Sequence, residues 1–151
     1  QNNSFHRLLE EVEKNIKNKT IQEEVIVQAG YTKFESKNMK IIDLMSKEEL
    51  AEYQDKASLI ITHGGVGSII SSIEKGKNVI AVPRKHEYGE HVNNHQIQII
   101  KDFTDKGYII GIENVEDLHD AIIKSKTFEP VKYQPNNSKM LKIIENFIEN
   151  I

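Results

Sequence analysis

The chain has 151 residues, a net charge of −3 and no cysteine. That length fits one domain with a sizeable core, and the missing thiols exclude disulfides, thiolate metal sites and a cysteine nucleophile. The slight acidity provides no broad positive field for nucleic acid or anionic lipid, and no window reaches the ~20 apolar residues of a membrane span, so any phosphate chemistry must be local.

Gln1-Asn2-Asn3 leads directly into a helical pattern. Ser4 suits an N-cap, and Phe5, Leu8, Leu9, Val12 and Ile16 recur at helical spacing, which predicts a first helix over 4–17. Helix-first α/β domains exist, and a strand missing upstream is the other reading of this start. Residues 24–29 form an apolar run stopped by Gly30 and read as a buried strand; 31–38 read as a polar loop and 39–44 as a second short strand. Ser46 followed by Glu49 is a capping box and predicts a helix to about Ala57. Residues 58–62 read as a strand, 67–75 as a helix ended by Gly76, and 78–82 as a buried strand ended by Pro83. A longer helix is expected over about 91–106, with Gly107 as its C-cap. The run 108–111 reads as a last strand. Asn114, with Asp117 three residues on, predicts a capped helix to about Ser125. Pro130 and Pro135 mark a linker, and 136–150 read as a terminal amphipathic helix, suited either to docking on a partner or to packing on its own domain.

Strands alternating with helices predict a doubly wound, Rossmann-like α/β domain, with a mostly parallel sheet covered on both faces. In such sheets ligands bind beyond the carboxyl ends of the strands. Two polar clusters fall there. The first is His63-Gly64-Gly65-Val66-Gly67-Ser68, where a strand turns into a helix. Gly64, Gly65 and Gly67 let an anion approach the main chain, Ser68 offers a hydroxyl in the first helical turn, and the helix dipole adds positive potential. His63, at the strand tip, is positioned to donate to an anionic oxygen. The run lacks the Gly-Lys-Ser/Thr ending of a P-loop. It also lacks the dinucleotide fingerprint, since no acidic residue ends the next strand. The simplest alternative is a turn that only closes a strand–helix unit.

The second cluster runs from Pro83 to Gln96 and carries Arg84, Lys85, His86, Glu87, Glu90, His91, Asn94 and His95. His86 and His91 miss the zincin spacing by one, and Gly89 interrupts any shared helix, so no metal site is expected. Glu90 and His91 at a helix start suit sugar hydroxyls or a phosphate, with Asn94 in support and Arg84 offsetting local carboxylates. Solvated polar groups around a helix start are the plain alternative. Tyr31, just after a strand, is a candidate to stack on a base or to rest on the core. Asp43 ends the second strand and either faces the crevice or begins the following helix.

Taken together, His63-Gly64-Gly65-Val66-Gly67-Ser68, Val82-Pro83-Arg84 and Gly89-Glu90-His91-Val92-x-Asn94-His95-Gln96 resemble the C-terminal, donor-binding half of family 28 glycosyltransferases, one lobe of a GT-B fold. Within that family the likeness is to the soluble catalytic subunits of two-subunit GlcNAc transferases of dolichol-linked oligosaccharide synthesis, and to their bacterial relatives in exopolysaccharide and capsule synthesis. It extends from the first helix to about residue 125. The resemblance implies a UDP-sugar donor as substrate, no other cofactor, a lipid-linked sugar acceptor and a membrane-anchored, acceptor-binding partner subunit. It places the chain in the cytoplasm at the inner membrane face. It further implies that the glycine turn contacts the diphosphate and that Glu90 and His91 face the donor sugar. Tyr31 would lie near the base, and an inverting transfer would rest on stabilising the departing diphosphate. One departure is Ser71, which stands where many such enzymes carry a glutamate for the ribose; Glu74 lies on another helix face. A GT-B-fold epimerase or hydrolase and a non-catalytic nucleotide- or protein-binding module are the competing classes.

Overall fold

A computed structural model describes residues 4–30, 32–63, 66–82 and 94–132. The elements, in chain order, are α1 (Ser4–Lys17), β1 (Val25–Gln28), β2 (Met39–Ile42), α2 (Lys47–Lys56), β3 (Leu59–Thr62), α3 (Val66–Glu74), β4 (Asn78–Ala81), α4 (Asn94–Asp105), β5 (Ile110–Gly111), a 3-10 turn (Val115–Asp117) and α5 (Leu118–Ser125). Every ladder among the described residues is parallel. β1 pairs with β2, and β3, β4 and β5 pair in that order. The expected alternation of strand and helix is therefore present, whereas the expected terminal helix at 136–150 lies outside the described residues.

β4 explains why helices cover both faces. Val79, Ile80 and Ala81 have no exposed surface and Val82 has almost none. Side chains alternate along a strand, so such a run must be buried on both sides. Ile80 and Val82 join Leu8, Leu9 and Val12 of α1 and Leu118, Ala121 and Ile122 of α5 in one apolar cluster, together with Val27 of β1 and Met39 of β2. Val79 and Ala81 point the other way, into Val66, Ile69 and Ile73 of α3 and Ile99, Ile100 and Phe103 of α4. Each fully buried isoleucine or leucine contributes about 1.5–3 kcal/mol of transfer free energy.

Among the described residues, the signals at Ser46, Gly76 and Gly107 are met and those at the start of α5 are not. Ser46 Oγ accepts the Glu49 N–H at 3.1 Å while Glu49 reaches back to the Ser46 N–H, so the capping box is complete. Gly76 and Gly107 have φ of 74° and 81°. At the first, Gly76 N–H bonds Ile73 O and Lys77 N–H bonds Ser72 O; at the second, Gly107 N–H bonds Thr104 O and Tyr108 N–H bonds Phe103 O. Both are Schellman turns, which need a left-handed residue just past the helix. Tyr108 therefore closes α4 rather than opening a strand, and β5 is shorter than the 108–111 expected. At the start of α5, neither Asn114 nor Asp117 makes a side-chain cap bond. The 3-10 turn takes that place. Residues three apart eclipse in such a turn, which brings Val115 and Leu118 into the core together.

A polar tether fixes α1 to the loop between β1 and β2. Ser36 Oγ and Asn38 Nδ2 both donate to the Glu13 carboxylate. Their hydrogen bonds, the Ser36 one foremost, hold Glu13 below the usual carboxylate range, with Lys17 adding to the effect. A folded-state pKa below the unfolded one gives stability that is present above the unfolded value and lost as pH falls through the folded one. The wild-type melting temperature is thus expected to fall between about pH 6 and about pH 3, and part of that fall should vanish in Glu13→Gln. Calorimetric melts of both proteins across that range test it; parallel curves would mean that the tether carries no pH-dependent stability.

Candidate functional site

The parallel register sets Thr62 opposite Ala81, so the chain leaves β3 and β4 side by side at the carboxyl edge of the sheet. The two sequence clusters begin at these neighbouring tips. Val82 N–H donates to Thr62 O at 2.9 Å, carrying the ladder one residue past β4. His63 Nδ1 then lies 2.9 Å from Val82 O. A carbonyl only accepts, so Nδ1–H is the donor in this bond. The half-buried ring is also stacked obliquely on Phe5 at the start of α1, with centroids 5.9 Å apart.

α3 begins three residues after His63, so its N-terminus opens at the tip of β3. An N-terminus in that position favours an anion through its unpaired N–H groups and its dipole. Gly67, the second residue of α3, is exposed. A Cβ added there would meet nothing within 4 Å among the described residues, and its φ is not in the left-handed region. Neither backbone conformation nor packing among these residues requires glycine at this point. Glycine inside a helix costs about 0.5–1 kcal/mol relative to alanine. The main chain at this position is thus open to close approach by a group beyond the described residues.

Ser68 is half-buried one position further on, and its carbonyl accepts from Ser72 Oγ at 2.7 Å and from Ser71 Oγ at 3.2 Å. Ser71, the departure noted in the sequence, is thus engaged within the helix and also lies 3.5 Å from Gln54 of α2. Asn94 is the first residue of α4. Asp43 is exposed, and its carbonyl accepts the Gly30 N–H at 2.7 Å. Tyr31, Gly64, Gly65, Arg84, Glu90 and His91 lie outside the described residues. Among the described residues, no group of three or more His, Cys, Asp or Glu could hold a metal ion. Sequence reasoning missed Phe5 as a neighbour of His63. It read Phe5 as one more apolar residue on the α1 face, and nothing local in the sequence connects it to a strand tip so distant in the chain.

The family model of the Glycosyltransferase family 28 C-terminal domain matches residues 1–151. The chain belongs to this family. Among known proteins it is similar to the UDP-N-acetylglucosamine transferase subunit ALG13 of Homo sapiens, with 35% identity over 63 residues, covering 42% of this chain and 5% of that protein. The ALG13 subunit of Candida albicans is 28% identical over 81 residues, covering 54% of this chain and 26% of that protein. The family 28 chain thus spans only a small part of the curated relatives it matches. Among solved structures, Spinosyn Forosaminyltransferase SpnP superposes with a TM-score of 0.55 over 95% of this chain and 36% of its own, at 16% identity. That likeness establishes the fold, an α/β lobe of the alternating kind the sequence pattern predicted and of the GT-B type the family resemblance implied.

Proposed function

We propose that this family 28 domain binds the donor of a UDP-sugar-dependent glycosyltransferase and acts as one subunit of a two-part enzyme. The observation that carries this reading is Gly67, a glycine the described fold does not need, in the first turn of a helix whose N-terminus opens beside the tips of β3 and β4. A diphosphate fits that setting. It approaches the main chain closely, accepts from N–H groups and draws stabilisation from the helix dipole. Stabilisation of charge on the departing UDP is the catalytic contribution such a site offers. Glu90 and His91 are proposed to face the sugar, Arg84 and Asn94 to support that loop, and Tyr31 to lie near the base.

The names of the ALG13 relatives, subunits of a UDP-N-acetylglucosamine transferase, favour UDP-GlcNAc as the first donor to test. We further propose a lipid-linked sugar acceptor in polysaccharide synthesis of the exopolysaccharide or capsule type. The acceptor would be presented on the cytoplasmic face of the membrane by an anchored partner. No described helix is long and apolar enough to cross a membrane, so such a partner would supply the anchor. An additional parallel strand, meeting the edges of β1 and β3 that carry no ladder among the described residues, belongs to the same reading.

Titration calorimetry with UDP, UDP-GlcNAc, UDP-Gal and UDP-Glc tests the proposal. UDP and one UDP-sugar are expected to bind at micromolar to millimolar concentration. Absence of heat with all four would favour a protein-binding module instead.

A further inference from the structure

We infer that His63 is a positioning residue, a clasp that fixes the tip of β3 to the start of the segment leaving β4. This deepens the donor-site reading and rests on it. Three observations meet at Val82. Its N–H is held by Thr62 O at 2.9 Å, its carbonyl by His63 Nδ1 at 2.9 Å, and its side chain is buried in the α1–α5 cluster. In a parallel ladder with this alternation, Val82 O is the next acceptor past Thr62, and the imidazole bonds it from the β3 side. A side-chain bond thus joins the two strand ends beyond their last described ladder bond. Phe5, stacked obliquely on the ring at 5.9 Å, braces it from α1.

The clasp therefore joins Val82, which precedes the stretch carrying Arg84, Glu90 and His91, to His63, which precedes Gly64 and Gly65. Those are the two stretches the donor reading assigns to sugar and diphosphate. A histidine acting on the ligand itself would use Nε2. A clasp uses Nδ1. Asparagine places an amide N–H near the position of Nδ1, and glutamine near that of Nε2.

The chain's own nitrogen chemistry provides a test that needs no ligand. In protein labelled with 15N-histidine at about pH 8, where an ordinary ring is neutral, long-range 1H–15N correlation should show His63 as the Nδ1–H tautomer, its signals assigned by their loss in His63→Asn. An Nε2–H tautomer would overturn the clasp. The second arm measures UDP-GlcNAc affinity by calorimetry. His63→Ala is expected to weaken binding about tenfold, His63→Asn to recover most of that loss, and His63→Gln to recover little. Recovery by Gln and not Asn, or wild-type affinity in His63→Ala, would overturn the positioning role while leaving the donor site in place. If the wild type binds no UDP-sugar, the donor reading fails and the tautomer alone decides whether the clasp exists.

Discussion

Gly67→Ala is expected to stabilise the fold and to weaken UDP-sugar binding at once. The methyl group enters open space at an exposed position of α3, and exchanging glycine for alanine in a helix adds a few tenths to about 1 kcal/mol. For a domain of this size that is about 1–4 °C in Tm. If a diphosphate rests against this turn, the same methyl pushes it outward. Overpacking of that kind costs about 1–3 kcal/mol, or roughly tenfold and more in Kd. A melt and a titration on the same sample measure the two effects. Gains in both stability and affinity would remove the argument for close approach, and losses in both would show that the glycine serves the fold.

Phe103→Ala should have the largest effect on stability of any change considered. Phe103 is 2% exposed and lies where α4 meets α3 and β4. Its ring meets Tyr108 edge to face at 5.5 Å, bracing the Schellman turn that ends α4. Truncating a buried phenylalanine costs about 3–5 kcal/mol through lost transfer energy and the cavity left behind. That is a large share of the 5–15 kcal/mol that typically separates folded from unfolded states. Urea unfolding followed by circular dichroism should show the midpoint drop, whereas Ile123→Ala, at a position 49% exposed on α5, should shift it by no more than about 0.5 kcal/mol. Equal small shifts would mean that the α3–α4 layer contributes little to the cooperative core.

The sequence exposed the fold because its signals were local. Ser46 with Glu49, the glycines at 76 and 107, and the apolar run of β4 each report a short-range physical requirement, and each is met in the structure. The failures came where a tertiary demand overrode a local one. Asn114 was a reasonable cap by type, but the core needed Val115 and Leu118 on one side, and a 3-10 turn provides that. Tyr108 looked like a strand residue until its N–H was needed to end α4. The site divides in the same way. The pairing of the tips of β3 and β4 follows from topology and was legible. The clasp from His63 to Val82 and the ring of Phe5 were not, since each depends on register and on a contact between residues far apart in the chain.

That dependence on register has a practical consequence. β4 alternates its side chains between two helical layers, so a shift of one residue would exchange those layers and carry Val82 away from the imidazole. The alignment of the two strand tips is thus inherited from the interior. Repacking β4 with residues of equal bulk is expected to preserve the melting point and still blur the alignment of the two strand tips. Ligand affinity would then be a finer gauge of interior order than thermal resistance, and directed evolution of this scaffold toward new sugars should find useful changes beneath the floor of the crevice as well as along its rim.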